Sequence, residues 1–194
     1  MRIYILIISL VLCCTIAQAA KKDSTFFKHQ TGYGLSIYLK TSQNGTIING
    51  TLNYNMRYHF KMLSHNSSLS ANINTGVGIP GLSYGFVVLS SFFQFHLPIT
   101  INYNIGNGAS KNSSQTTGAY VGAGPCLDFI AAPYSLRENA LSIGPVVNVG
   151  FRFGASNGDD NDAKYDLRFS YMSTLNKNGK GLSDILGINF FYSF

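Results

Sequence analysis

The sequence predicts an all-β fold, an eight-stranded antiparallel transmembrane β-barrel of the outer-membrane type after a cleaved signal peptide, and three observations predict it. The first is the final stretch, in which Leu186, Ile188, Phe190, Tyr192 and Phe194 share one parity while Gly187, Asn189 and Ser193 share the other, with Phe191 the one apolar break. A period of two is the mark of a strand, and an apolar face this long and aromatic suits lipid better than water. In a soluble sheet such an edge invites aggregation, whereas a barrel has no edge. The second is composition: only 11% of the 194 residues are charged, against about 25% in soluble domains, although 45% are hydrophobic. The third is that the same alternation returns upstream. The alternative is a soluble β-sandwich whose last strand happens to be aromatic.

The elements follow in order. Met1-Arg2, an apolar run from Ile3 to Ile16 and the small-x-small site Ala17-Gln18-Ala19 read as a secretory signal peptide over residues 1–19. The apolar run is shorter than a membrane helix needs. Cleavage after Ala19 removes Cys13 and Cys14 and leaves Cys126, which has no partner for an internal disulfide. Residues 20–31 are expected to form a short N-terminal segment and residues 32–194 the barrel. No later stretch is apolar and long enough for a transmembrane helix, so a chain that crosses a membrane here does so as a closed barrel.

The first candidate strand alternates Tyr33, Leu35, Ile37 and Leu39 with Gly34, Ser36 and Tyr38, before a polar loop from Thr41 to Gly45. The second is the cleanest: Leu52, Tyr54, Met56, Tyr58 and Phe60 point out, and Asn53, Asn55, Arg57 and His59 point in. The third alternates Leu69, Ala71, Ile73, Thr75 and Val77 with Ser70, Asn72, Asn74 and Gly76, and Pro80-Gly81 supplies a stop. Phe93 to Tyr103, Ala119 to Phe129, Ile143 to Phe153 and Tyr165 to Tyr171 repeat the pattern. With the terminal strand the count reaches eight, the smallest even number that closes an outer-membrane barrel. Gly106 to Gly118 and Ala155 to Ala163, rich in Asn, Ser, Gly and Asp, separate strands.

Aromatic residues make up 13% of the chain, with 12 Tyr, 14 Phe and no Trp, so its interfacial girdle must be built from Tyr and Phe. The net charge of +6 does not point to nucleic acid, because Lys and Arg are scattered singly and Lys21-Lys22 is the one adjacent pair. That balance suits the anionic surface of an outer membrane. No cluster with metal-ligand spacing occurs, and Gly76 to Gly81 matches a glycine-loop pattern only by chance, since no helix follows it. No cofactor is expected.

Inward positions collect Arg57, His59, Gln94, His96, Asp128, Arg152, Asp166 and Arg168, while outward positions carry almost no charge. An eight-stranded barrel is just wide enough to be filled by side chains, so these residues are expected to form a plug of hydrogen bonds and ion pairs. The expected pairing sets Arg57, Arg152 and Arg168 against Asp128 and Asp166, with the surplus arginine satisfied by Asn55, Gln94 or Asn148, or by water at a rim. The competing reading is an active site. Of the four histidines, His29, His59, His65 and His96, the second and last share the lumen, but catalysis needs a nucleophile and an orienting carboxylate in place as well.

Leu97-Pro98-Ile99-Thr100-Ile101-Asn102-Tyr103, followed by Tyr120-Val121-Gly122-Ala123-Gly124-Pro125, resembles the paired signature of the outer membrane protein β-barrel family common in Bacteroidetes, the PorT-like group. Arg168-Phe169-Ser170-Tyr171, then Thr174-Leu175-Asn176, is similar to that family's penultimate strand. Asn102 stands where the family usually has Lys, and the linker from Gly106 to Gly118 is longer than its usual turn. The resemblance implies an integral barrel of a Gram-negative outer membrane, and in such barrels Phe190, Tyr192 and Phe194 resemble the C-terminal signal read by the assembly machinery. The expected partners are outer-membrane lipid, that machinery during biogenesis, and an extracellular or host ligand of unknown identity, with no nucleic acid. The expected role is structural, adhesive or host-facing and non-enzymatic. Its alternatives are a lipid or peptide hydrolase and an accessory factor for protein secretion across the outer membrane.

Overall fold

The computed structural model describes residues 25–39, 47–78, 93–110, 115–131, 140–154, 164–175 and 184–194. They form β1 (Phe26–Tyr38), β2 (Ile47–Ser64), β3 (Ser67–Gly78), β4 (Phe93–Gly106), β5 (Thr117–Ala131), β6 (Ala140–Phe153), β7 (Tyr165–Met172) and β8 (Ile185–Ser193). Every strand pairs antiparallel with its neighbours in sequence, and β8 returns to β1 through Gln30↔Ser193 to Tyr38↔Ile185. The sheet therefore closes on itself, as an eight-stranded antiparallel transmembrane barrel of the outer-membrane type. The signal peptide, the loop from Thr41 to Gly45, the Pro80-Gly81 stop and the separator from Ala155 to Ala163 lie outside the described residues.

The alternation read from sequence sets which face is which. In β2, Asn53, Asn55, Arg57 and His59 are buried in the lumen while Leu52 and Tyr54 are exposed on the outer wall. The same division holds in β6, where Ser142, Val146, Asn148 and Arg152 are buried and Leu141, Ile143, Val147, Val149 and Phe151 are exposed. An exterior of Leu, Ile, Val, Phe and Tyr around an interior of Asn, Ser, Thr and charge is the reverse of a soluble barrel, and lipid is the solvent that makes it stable. Outward rings gather at the end where β1 begins and β8 finishes, here the terminus end. Phe27 stacks on Tyr58 at 4.6 Å, and Tyr165 meets Phe153, Phe190 and Tyr192 at 5.7 to 5.8 Å. This is the Tyr/Phe girdle that a chain without Trp must use.

Two boundaries and the facing of one residue differ from the expectation. β1 starts at Phe26 rather than at residue 32, because Phe26 to Thr31 pairs with His59 to Tyr54 of β2 although its parity is blurred by two adjacent phenylalanines. Phe60, expected on the lipid face, is buried: the β2–β3 register steps from His59↔Ser70 to Lys61↔Leu69, leaving Phe60 without an opposite residue at a bulge. The separator from Gly106 to Gly118 contracts to residues 107–116, since β4 runs through Gly106 and β5 already includes Gly118. Gly106 has φ +77°, a left-handed conformation that ends the strand and that glycine adopts without strain.

Candidate functional site

Polar side chains fill the lumen in two hydrogen-bonded clusters, one towards each end. The cluster at the terminus end is centred on Asp166 of β7 and Tyr120 of β5. Arg57 Nη2 donates to Asp166 Oδ2 at 2.8 Å and to Gln30 Oε1 at 3.1 Å. Tyr120 donates its hydroxyl to Asp166 Oδ1 at 2.8 Å and accepts from Arg168 Nε at 2.7 Å, so one phenol links the carboxylate to a second arginine. Arg152 Nη2 donates to Asn104 Oδ1 at 2.5 Å and Nη1 to the Gly108 carbonyl at 3.2 Å. The guanidinium carbons of Arg57, Arg152 and Arg168 lie 5.4, 4.4 and 5.6 Å from the Tyr120 ring centroid, and Arg168 also sits 4.6 Å from the Phe191 ring. A cation against an aromatic face is attracted by the ring quadrupole, more so when desolvated. Gly150 makes this possible: it is the register partner of Tyr120, and a Cβ there would collide with the phenol ring.

The second cluster lies towards the other end, around Asp128 of β5. Asp128 Oδ1 accepts from Gln94 Nε2 at 2.9 Å and faces His96 Nδ1 at 2.9 Å, while Oδ2 accepts from the Tyr38 hydroxyl at 3.1 Å. Asn49 Nδ2 extends the network to Gln94 Oε1 at 2.7 Å. Cys126 Sγ rests 3.7 Å from both ring nitrogens of His96. A sulfur equidistant from the two nitrogens lies along the in-plane lone-pair direction of neither, which is poor geometry for proton transfer from a thiol. Tyr38, Cys126, Ile130, Val146, Met172 and Ile185 pack together as a buried apolar layer at this end. Neutral pairs lie along the wall between the clusters: Asn53 with Asn189 at 3.0 Å, and Asn148 with Thr100 at 3.1 Å.

All eight residues read from the sequence as lumen groups point inward, yet they do not form one plug. Arg57, Arg152, Asp166 and Arg168 converge, as do Gln94, His96 and Asp128, and His59 belongs to neither group. It faces Ser68 Oγ at 2.9 Å through Nδ1 and stacks on Phe26 at 4.1 Å. The expected sharing of three arginines between two aspartates is corrected: among the described residues Asp128 takes no arginine, and all three gather at Asp166. The two parts of a catalytic triad are split in the same way. Among the described residues, His59 has a hydroxyl but no carboxylate on it, and His96 has a carboxylate but no hydroxyl.

Sequence reasoning missed Tyr38, Tyr120 and Gln30. The first two sit on the polar parity of their strands, which is the signal that marks a phenol as a lumen hydrogen-bonding group. Gln30 lay in the segment placed ahead of the barrel.

A wall that is apolar outside, closed without an edge and filled by hydrogen-bonded polar side chains defines a small outer-membrane-type β-barrel protein. Solved structures that share this fold include the following two. Ail, the attachment invasion locus protein of Yersinia pestis, superposes with TM-score 0.50 at 11% identity over 88% of this chain and 99% of that one. Neisserial surface protein A does so with TM-score 0.51 at 14% identity, again over 88% and 99%. At such identities the likeness is one of architecture. No family model matches the chain, and no curated protein does either.

Proposed function

We propose that the chain is an integral protein of a Gram-negative outer membrane, exported by its signal peptide, whose role is structural, adhesive or host-facing and non-enzymatic. The observation that carries this reading is the packed lumen: the side chains that would serve as a pore lining or an active site are spent on one another, which leaves recognition to the connections between strands. The connections opposite the terminus end, residues 39–46, 79–92, 132–139 and 173–184, face the exterior in this reading, as in barrels with both termini in the periplasm. Ail is an attachment invasion locus protein and the second neighbour a Neisserial surface protein, which accords with an outward-facing role. Replacing residues 79–92 by a short Gly/Ser turn tests it: binding of cells to host or matrix components falls while the barrel still folds. Unchanged binding after replacement of each of the four connections in turn would remove the adhesive reading.

A second reading, an accessory factor for secretion in the PorT-like manner, is favoured by one observation. The two segments that carry that resemblance lie side by side on β4 and β5, in register at Tyr103↔Val121 and Ile101↔Ala123. Loss of secreted cargo in a strain lacking the protein would select it. We also propose that Phe190, Tyr192 and Phe194 are read during assembly. Phe194→Ala then lowers the amount inserted in the outer membrane, measured by fractionation, and an unchanged level would contradict that role.

A further inference from the structure

Among the described residues, three guanidiniums and one carboxylate leave an excess of two positive charges in the cluster at the terminus end. Arg57, Arg152 and Arg168 are each at most 3% exposed and Asp166 is fully buried, so water does little to screen that excess. Arginine cannot shed its proton to relieve it. Asp166 hydrogen-bonds directly to Arg57, but Arg152 Nε and Arg168 Nη2 stand 3.7 and 4.0 Å from Asp166 Oδ2, beyond hydrogen-bond distance. Among the described residues, Arg57 Nε, Arg152 Nε and Arg168 Nη2 are buried donors without a hydrogen-bond acceptor. Asn55, Asn104, Gln30 and the Tyr120 and Phe191 rings satisfy other donors and faces, but none of them carries a negative charge.

A buried, uncompensated cation is among the costliest features a fold can hold, and two in one cluster call for a counter-ion. We propose that the arginine cluster is a structural binding site for a small inorganic monoanion, of which chloride is the type, held by the unfilled N–H groups of Arg57, Arg152 and Arg168. The tight burial of these side chains favours a monatomic ion over sulfate or phosphate. The inference concerns the lumen alone and stands whatever the external connections recognise.

The full-length mature chain, folded in detergent, is heated while chloride replaces gluconate at constant ionic strength, and unfolding is read from the shift in gel mobility. A ligand that binds only the folded state stabilises it by mass action, so the transition temperature rises with chloride. In Arg152→Gln and Arg168→Gln that rise is reduced or lost. Because either variant can fail to fold, crystals of the unmodified protein grown in bromide provide the second measurement, with an anomalous peak expected against these guanidiniums. A crystal without that peak overturns the proposal, as does a chloride effect of the same size in both variants. A third result would also overturn it: no chloride dependence, together with destabilisation when Asp159, Asp160 and Asp162 are changed to Asn, would mean that the chain's own carboxylates neutralise the cluster.

Discussion

Asp166 and Asp128 are both fully buried carboxylates in one lumen, yet their surroundings differ in charge. Among the described residues Asp166 is the single anion among three arginines, and Asp128 is surrounded by an amide, a phenol and an imidazole. The first is an electrostatic keystone whose loss leaves charge stranded. The second is a hydrogen-bond acceptor whose imidazole neighbour, unlike an arginine, can give up its proton when the carboxylate is removed. The difference teaches that counting lumen charges does not say what each one does, because a buried charge takes its energetic meaning from which partners remain when it is removed.

The largest effect is therefore expected at Asp166. Asp166→Asn keeps the shape but leaves three buried guanidiniums with no anion among the described residues, and the loss should be about 3–5 kcal/mol. Heat-modifiable gel mobility of the detergent-folded barrel reads it as a lower transition temperature. A loss no greater than that of Asp128→Asn would remove the asymmetry between the two ends.

Asp128→Asn comes second. An amide there still accepts from Gln94 or Tyr38, and the expected cost is about 1–3 kcal/mol, that of weakening hydrogen bonds to a charged group. The smallest effect concerns coupling. Among the described residues the clusters share no hydrogen-bonding partner, so the double variant should lose the sum of the single losses to within about 0.5 kcal/mol. A larger deviation would mean that the Asn and Thr pairs between them transmit the change.

Strand order and the inward or outward sense of nearly every strand residue were legible in the sequence, because a period of two reports directly on which solvent each face meets. Phe60 was misplaced because a bulge resets parity without leaving a mark in composition. The start of β1 was missed because Phe26-Phe27 breaks the alternation that defines a strand. The inward residues of the site were legible, but their grouping was not. Pairing Arg57 with Asp166 rather than Asp128 depends on height along the barrel, and height follows from register, here Arg152↔Asp166 on β6–β7 and His96↔Asp128 on β4–β5. The packing of three arginines around Tyr120 depends also on Gly150 lying opposite the phenol, a relation between strands that one strand's pattern cannot reveal.

If these two clusters fill the lumen, the barrel is a scaffold rather than a pore. Single-channel recording of the purified protein in a planar bilayer distinguishes the two. No large, steady conductance is expected at any ordinary voltage, because eight strands enclose only enough space for their own side chains. Large, long-lived channels with a reproducible unit conductance would contradict it.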